Sequence, residues 1–330
     1  MSFAKRLVAW QKKYGRHHLP WQVHDAYRVW LSEIMLQQTQ VSTVLPYFER
    51  FTTRFPNVSA LAQAEIDEVL AYWSGLGYYR RAHHLHQAAK QVMTDFGGTF
   101  PTKRFELEQL QGVGRSTAAA IAVFAFNERE AILDGNVKRV LARHAGLYGA
   151  PNASQTLKAL WAKAEERLPQ EDLRAYTQGL MDLGSAICTR SKPQCWQCPV
   201  SEDCYAHQNN KTHLLPEKAS QAKVREHQVV WLLMRCEKRF ALWQRGKRGI
   251  WGGLWSLPEY QHLAEAKVEQ SALLALPAVT HRLTHRLIRA EVWAVSLEEA
   301  SADYAWFTRE EALALGLPTP MREILERWAV

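Results

Sequence analysis

Leu110-Gln111-Gly112-Val113-Gly114-Arg115-Ser116-Thr117-Ala118 is the stretch on which the fold turns. Two glycines one residue apart permit a tight turn between helices, and the helix that follows starts with unpaired N–H groups. Such a turn can hold a phosphate by backbone donors and the helix dipole without reading a base. An ordinary interhelical turn would use the same residues. Working outward, apolar residues recur at helical spacing over 27–47, 66–73, 81–93, 117–126, 137–147 and 159–168. Pro56, Gly75, Gly77, Gly97, Gly98, Pro101, Gly149 and Pro169 supply the stops. From residue 227 the period changes to two, giving short strands over 227–236, 239–245, 254–257 and 290–297, with one helix around 262–276. Thr308-Arg-Glu-Glu311 is a capping box that opens a last helix, closed by Gly316 and Pro318. The expected architecture is an all-α domain over 1–208, a polar, basic linker over 209–226, and a smaller α/β domain over 227–330.

The 330 residues exceed a usual single core, which agrees with two domains. The longest purely apolar run, 118–126, is far too short to span a bilayer, so no membrane association is expected. The N-terminus lacks the charged-then-apolar form of a secretion signal, which points to a cytoplasmic protein. A formal charge of +8 favours a polyanionic partner, although charge of this size does not by itself select nucleic acid.

Four of the five cysteines lie in one segment, Cys188, Cys195, Cys198 and Cys204, spaced C-x6-C-x2-C-x5-C. With Cys236 alone in a chain expected in a reducing compartment, structural disulfides are disfavoured. Zinc sites usually pair two short knuckles, and only Cys195 and Cys198 have knuckle spacing. Four thiolates equally hold a cubane iron–sulfur cluster, so spacing leaves both metals open.

Two carboxylates stand out. Asp134, in Ile132-Leu-Asp-Gly-Asn-Val-Lys-Arg-Val140, precedes a helix that begins near Asn136. A helix cap is one reading; the other is an anion kept ionised by the helix dipole, able to stabilise or trap a sugar cation. Glu33, in Val29-Trp-Leu-Ser-Glu-Ile-Met-Leu-Gln-Gln-Thr-Gln40, has Val29, Trp30, Leu36 and Gln37 as helical neighbours. Desolvation on that face should raise its pKa, unless it is a salt-bridged glutamate at the core edge. Gln38 and Thr39, at the helix end, suit contact with bases or insertion into a stack, and solvated side chains are the plainer alternative. Gly75-Leu-Gly-Tyr-Tyr-Arg-Arg81 sets tyrosines beside arginines, which serves stacking and phosphate contact or core packing.

Together these strings resemble the helix-hairpin-helix base-excision DNA glycosylases, the adenine-removing members in particular. The resemblance covers essentially the whole chain, including Leu19-Pro-Trp21, Ser32–Thr39, Gly75–Tyr79, the hairpin, Leu133–Arg139 and the four cysteines. It implies a [4Fe–4S] cluster on Cys188, Cys195, Cys198 and Cys204, and a double-stranded DNA partner bearing adenine opposite 8-oxoguanine or guanine. The enzyme is expected to act as a monomer associated with the nucleoid. Glu33 is implied as the acid that protonates the leaving adenine and then handles water, and Asp134 as the carboxylate that stabilises the sugar cation. Gln38 and Tyr78 match positions that wedge into the duplex. Thr39, Gly112, Gly114 and Ser116, with Arg190 and Lys192 of the cysteine segment, are the further DNA-contact candidates. The target base must leave the stack before Glu33 can reach it. Endonuclease III-like members carry a lysine at the Ser116 position for Schiff-base chemistry. Serine there implies a monofunctional enzyme with at most weak strand nicking.

The C-terminal part resembles a Nudix-type fold through Trp251-Gly-Gly-Leu-Trp-Ser-Leu-Pro258 and the Trp306–Pro320 stretch. It lacks the glutamate-rich metal-binding box of Nudix hydrolases, which implies recognition rather than hydrolysis. In the family a short Phe-Ser-His segment senses 8-oxoguanine; this chain has Leu283-Thr284-His285, retaining a hydroxyl and the histidine but losing the aromatic ring. Two other readings compete: a bifunctional pyrimidine glycosylase/lyase, opposed by Ser116, and a non-catalytic iron–sulfur DNA-binding protein, which would need both carboxylates to be structural.

Overall fold

The computed structural model describes residues 1–217, 224–266 and 268–328. The chain forms two compact units: residues 1–48, 57–59 and 87–220, and residues 49–56, 60–86 and 221–330. The segments 49–56 and 60–86, helical in pattern, thus group with the C-terminal sheet. The linker expected over 209–226 falls partly outside the described residues.

The first unit is built around the helix Arg115–Phe126, whose residues Ala118–Val123 are all buried. A helix apolar on every side belongs at the centre of a bundle, and its alanines admit close neighbours. It packs against the helices Ala26–Leu36 and Leu173–Asp182. Leu7, Val137, Leu141, Leu160, Tyr176 and Leu183 complete the core. The expected helices at 81–93, 137–147 and 159–168 are present as Arg80–Asp95, Gly135–Ala145 and Ser154–Glu166. The run read over 27–47 is two helices, Ala26–Leu36 and Val41–Arg54. The break falls at Gln38, whose φ of 59° is left-handed and ends the helical ladder. Periodicity did not expose this break because apolar spacing continues on both sides of it.

In the second unit, β1 (Arg225–Cys236), β2 (Arg239–Gln244), β3 (Trp255–Ser256), β4 (Glu259–Tyr260), β5 (Leu274–Arg282), β6 (Arg286–Leu297) and β7 (Ala305–Thr308) form one mixed sheet. The strand order is β3-β2-β1-β6-β5, with β4 against β1 and β7 against β2. β1 and β6 run parallel from Arg225↔Arg286 to Cys236↔Leu297. Along β1, Val229, Trp231 and Leu233 enter one core, and Leu232 and Met234 enter another on the opposite face. Both faces are therefore buried, as a near-continuous apolar run requires.

The helix expected around 262–276 is absent. In its place are short 3-10 turns at Leu263–Ala266 and Gln270–Ala272, followed by the edge strand β5. Pairing with β6 overrides a sequence rich in Ala, Glu and Leu, and a bulge between Leu276 and Val279 accommodates Pro277. The Thr308–Glu311 capping box forms as read, heading the short helix Arg309–Leu313. It is not the last helix, since Thr319–Trp328 follows. Gly316 is required by close approach, because a Cβ there would sit 2.7 Å from the Leu70 Cβ of helix Ile66–Trp73.

Candidate active site

A cleft of about 1640 Å³ in the first unit is lined by both singled-out carboxylates, Glu33 and Asp134, and by Gln38, Thr39, Ser116 and Arg190. Glu33 rides on the helix Ala26–Leu36, which Asp25 caps by accepting from the Tyr27 and Arg28 N–H groups. Of its helical neighbours, Val29 and Trp30 are buried, and Leu36 and Gln37 partly so. Burial, reinforced by the nearby Asp134 charge, pushes the Glu33 carboxyl up to about 8. The apolar face read from sequence therefore has the consequence expected of it.

Asp134 follows the buried residues Ala131-Ile132-Leu133 and caps the helix Gly135–Ala145, accepting from the Val137 N–H at 2.7 Å. Capping and lining the cleft are thus one arrangement. Backbone donors at Val137 and Asn136, with the Arg139 and Lys138 charges, favour its ionised form, yet burial outweighs them and the net shift is upward. This differs in direction from the dipole-only expectation, because the helix end lies inside the protein rather than at its surface. Ser116 stands on the hairpin helix and accepts from the Leu133 N–H at 2.9 Å, tying that helix to the residue before Asp134.

In the hairpin, Gly112 takes a φ of 77°, open to glycine but strained for other residues. Gly114 is extended and caps the helix Arg115–Phe126 without a side-chain bond. Nothing lies within 4 Å of where its Cβ would be. The turn is therefore uncrowded at the head of the hairpin helix.

Residues that the sequence reading missed also line the cleft. Arg139 donates to the Cys188 carbonyl at 2.8 Å, the Gly184 carbonyl at 2.6 Å and Asn136 Oδ1 at 2.8 Å. It locks the Asp134 helix to the turn that leads into the cysteine segment. Its signal was a cation five positions after Asp134 on a helix whose start had been identified. Trp196, between Cys195 and Cys198, is 82% exposed and had no periodic or motif signal. Lys192, one of the expected DNA contacts, is exposed in the same segment but does not line the cleft.

The remaining expected residues belong to the second unit. Tyr78 is half-exposed with a left-handed φ of 50°, and its hydroxyl lies 3.3 Å from Thr284 Oγ1. Tyr79 is buried, so one tyrosine of the pair packs in the core and the other faces out. Thr284 and His285 form the exposed tip of the β5–β6 hairpin, closed by the Leu283 N–H donating to the Arg286 carbonyl at 2.8 Å. Leu283 packs against the sheet core.

None of the five cysteines is in a disulfide. Cys188, Cys195, Cys198 and Cys204 line one cavity walled by Val140, Leu183, Ile187 and Val200. Burial raises the Cys195, Cys198 and Cys204 thiols, with the other cysteines adding to the shift. Only a bound cationic centre would keep such a set deprotonated. Four thiols lining one apolar-walled cavity are a donor set that a cubane can take. Arg143, buried behind the segment, donates to the Leu215, Thr189 and Arg190 carbonyls at 2.8, 2.7 and 3.0 Å and approaches Cys188 Sγ at 3.4 Å.

Comparison with known proteins agrees with this geometry. The HhH-GPD superfamily of base excision DNA repair proteins matches residues 31–166, the iron–sulfur binding domain of endonuclease III residues 188–204, and the NUDIX domain residues 229–327. An adenine DNA glycosylase of Buchnera aphidicola (subsp. Acyrthosiphon pisum) is 33% identical across 99% of this chain and 97% of its own length. The adenine DNA glycosylase of Homo sapiens is 30% identical across 98% of this chain and 73% of its own. Among solved structures, a thermostable thymine-DNA glycosylase superposes with a TM-score of 0.57 at 30% identity, covering 63% of this chain and 95% of that one. Endonuclease III in a non-covalent DNA complex gives 0.54 at 20% identity, covering 63% and 94%, a likeness of fold alone. The helical unit, its hairpin and the cysteine segment define a base-excision DNA-repair enzyme with a [4Fe–4S] cofactor. The chain belongs to the adenine DNA glycosylase family. Among the described residues no helix is long and apolar enough to cross a membrane.

Proposed function

We propose that this enzyme removes adenine mispaired with 8-oxoguanine or guanine from duplex DNA, hydrolysing the N-glycosidic bond and leaving an abasic site. The observation that carries the reading is a protonatable Glu33 and a capped Asp134 in one cleft. With its pKa raised to about 8, the Glu33 carboxyl is mainly protonated at neutral pH. Adenine is a poor leaving group as an anion. Once the nucleotide is flipped into the cleft, Glu33 donates its proton to a ring nitrogen of the base. Asp134, held by the Val137 N–H, is the carboxylate that stabilises the sugar cation as the bond breaks. The Glu33 carboxylate then takes a proton from the water that adds to the sugar, which restores the acid.

Ser116 has no amine and its hydroxyl is occupied by the Leu133 N–H, so no Schiff base forms and the enzyme is monofunctional. Gly112 and Gly114 hold a phosphate, Gln38 and Thr39 contact the duplex at the cleft, and Arg190 and Lys192 pair with phosphates. Tyr78, Thr284 and His285 sense the base opposite, with Leu283 serving as a packing residue rather than a stacking one. Cys188, Cys195, Cys198 and Cys204 would hold the cluster, one thiolate at each iron. Bound there, it supplies a covalent tie across residues 188–204.

The test is adenine release from a duplex with adenine opposite 8-oxoguanine, with Glu33→Gln as control. Release by the wild type and its loss in the variant, by roughly 10²–10⁴-fold, is expected. Equal release by both proteins would sink the assignment. Borohydride trapping of the enzyme on DNA, with nicking equal to base release, would contradict the monofunctional reading.

A further inference from the structure

Trp196 is the residue this mechanism leaves unused. Among the described large apolar side chains only Met1 is more exposed than Trp196 at 82%. A singly exposed apolar side chain needs no cover, so it is the place of this indole that matters. Trp196 lines the same cleft as Glu33 and Asp134, and so does the exposed Arg190 from the preceding loop. Both stand on a stiff support. Trp196 lies in the turn Cys195–Gln197, closed by the Cys198 N–H on the Cys195 carbonyl at 3.2 Å and preceded by the Gln194 N–H on the Ile187 carbonyl at 2.9 Å. Arg143 fixes the Arg190 carbonyl at 3.0 Å, while no described residue hydrogen-bonds the Arg190 guanidinium. An exposed aromatic and an unpartnered guanidinium lining one cleft are the chemistry that takes a nucleotide: a flat apolar face for the base or sugar, and a cation for the phosphate.

We infer that Trp196 is a DNA-binding residue of the cleft, its indole stacking against a nucleotide that flanks the excised adenine while Arg190 pairs with the adjoining phosphate. This rests on the reading of the cleft as the excision site. The contact adds affinity and takes no part in proton transfer. A docked protein would also cover an exposed indole, but the neighbouring carboxylate pair and the chain's +8 charge favour DNA.

The experiment measures Kd by fluorescence anisotropy for a duplex with adenine opposite 8-oxoguanine. Every protein carries Glu33→Gln so that the DNA stays intact. Adding Trp196→Ala is expected to weaken binding roughly tenfold, the scale of one base–aromatic stack, and Trp196→Phe to stay within about twofold. Arg190→Ala is expected to lower the slope of log Kd against log salt by about one. The cluster's visible absorbance per chain should be equal in all four proteins, which separates DNA contact from damage to the cysteine segment. An unchanged Kd for Trp196→Ala overturns the inference and leaves the indole facing a partner other than DNA. If the protein without Glu33→Gln releases no adenine from this duplex, the excision reading itself fails, an outcome independent of the Trp196 comparison.

Discussion

Glu33 is an acid held against its own solvation, and that has a cost for folding. Its folded pKa of about 8 lies above the ordinary value of 4.5. The folded state therefore binds more protons than the unfolded chain between those values, and stability falls as pH rises through that window. Glu33→Gln removes the ionisable group. It should be inactive yet melt a few degrees higher at pH 8, with the gap to wild type closing towards pH 5 in a thermal scan. Activity should decline above pH 8 for the same reason, since the proton donor is lost. Ser116 makes a narrower prediction. Ser116→Ala orphans the buried Leu133 N–H, at a cost of about 1–3 kcal/mol, and loosens the chain before Asp134. Steady-state kinetics should show kcat falling more than KM rises.

Among the elements, the turn entering the cysteine segment is tightly constrained. A Cβ on Gly184 would lie 2.6 Å from the Asn136 Cβ, and Arg139 donates to the Gly184 carbonyl at 2.6 Å. Gly184→Ala should force the turn Leu183–Ile187 away from the Asp134 helix, costing about 1–3 kcal/mol and read as a lower melting temperature. Arg143→Ala should lower cluster content per purified chain, measured by iron analysis, because five backbone and thiol contacts disappear together. Elements of this kind were legible where local chemistry sets them. The Thr308 capping box forms as its spacing implies, though another helix follows the one it heads, and burial raises Glu33 as its apolar setting implied. What escaped the sequence was decided from outside the segment. β5 exists because β6 offers it an edge, the break at Gln38 is a backbone conformation without a composition signal, and Arg139 acts through carbonyls 45 or more positions away.

For the whole molecule, the second unit combines distant stretches of chain. Ser74 Oγ and the Tyr79 hydroxyl both donate to the Leu317 carbonyl, at 2.7 and 3.1 Å, and Leu70 lies under Gly316. A chain truncated after residue 226 would leave the helix Ile66–Trp73 without its cover. It should melt lower and aggregate sooner in light scattering, whereas His285→Ala should not. The point substitution is therefore the cleaner probe of lesion preference, with loss of the advantage of 8-oxoguanine over guanine as the expected result.

The same joining of early and late segments has a meaning during synthesis. Leu317 leaves the ribosome 231 positions after His86, the end of the early segment. At ~5–20 residues per second, some ten to fifty seconds pass before those helices can meet their sheet. Throughout that interval Leu70, fully covered in the finished protein, lacks the segments around Gly253 and Gly316 that approach it. Until then the early helices keep an apolar face uncovered, and slow decoding late in the message would lengthen that exposure.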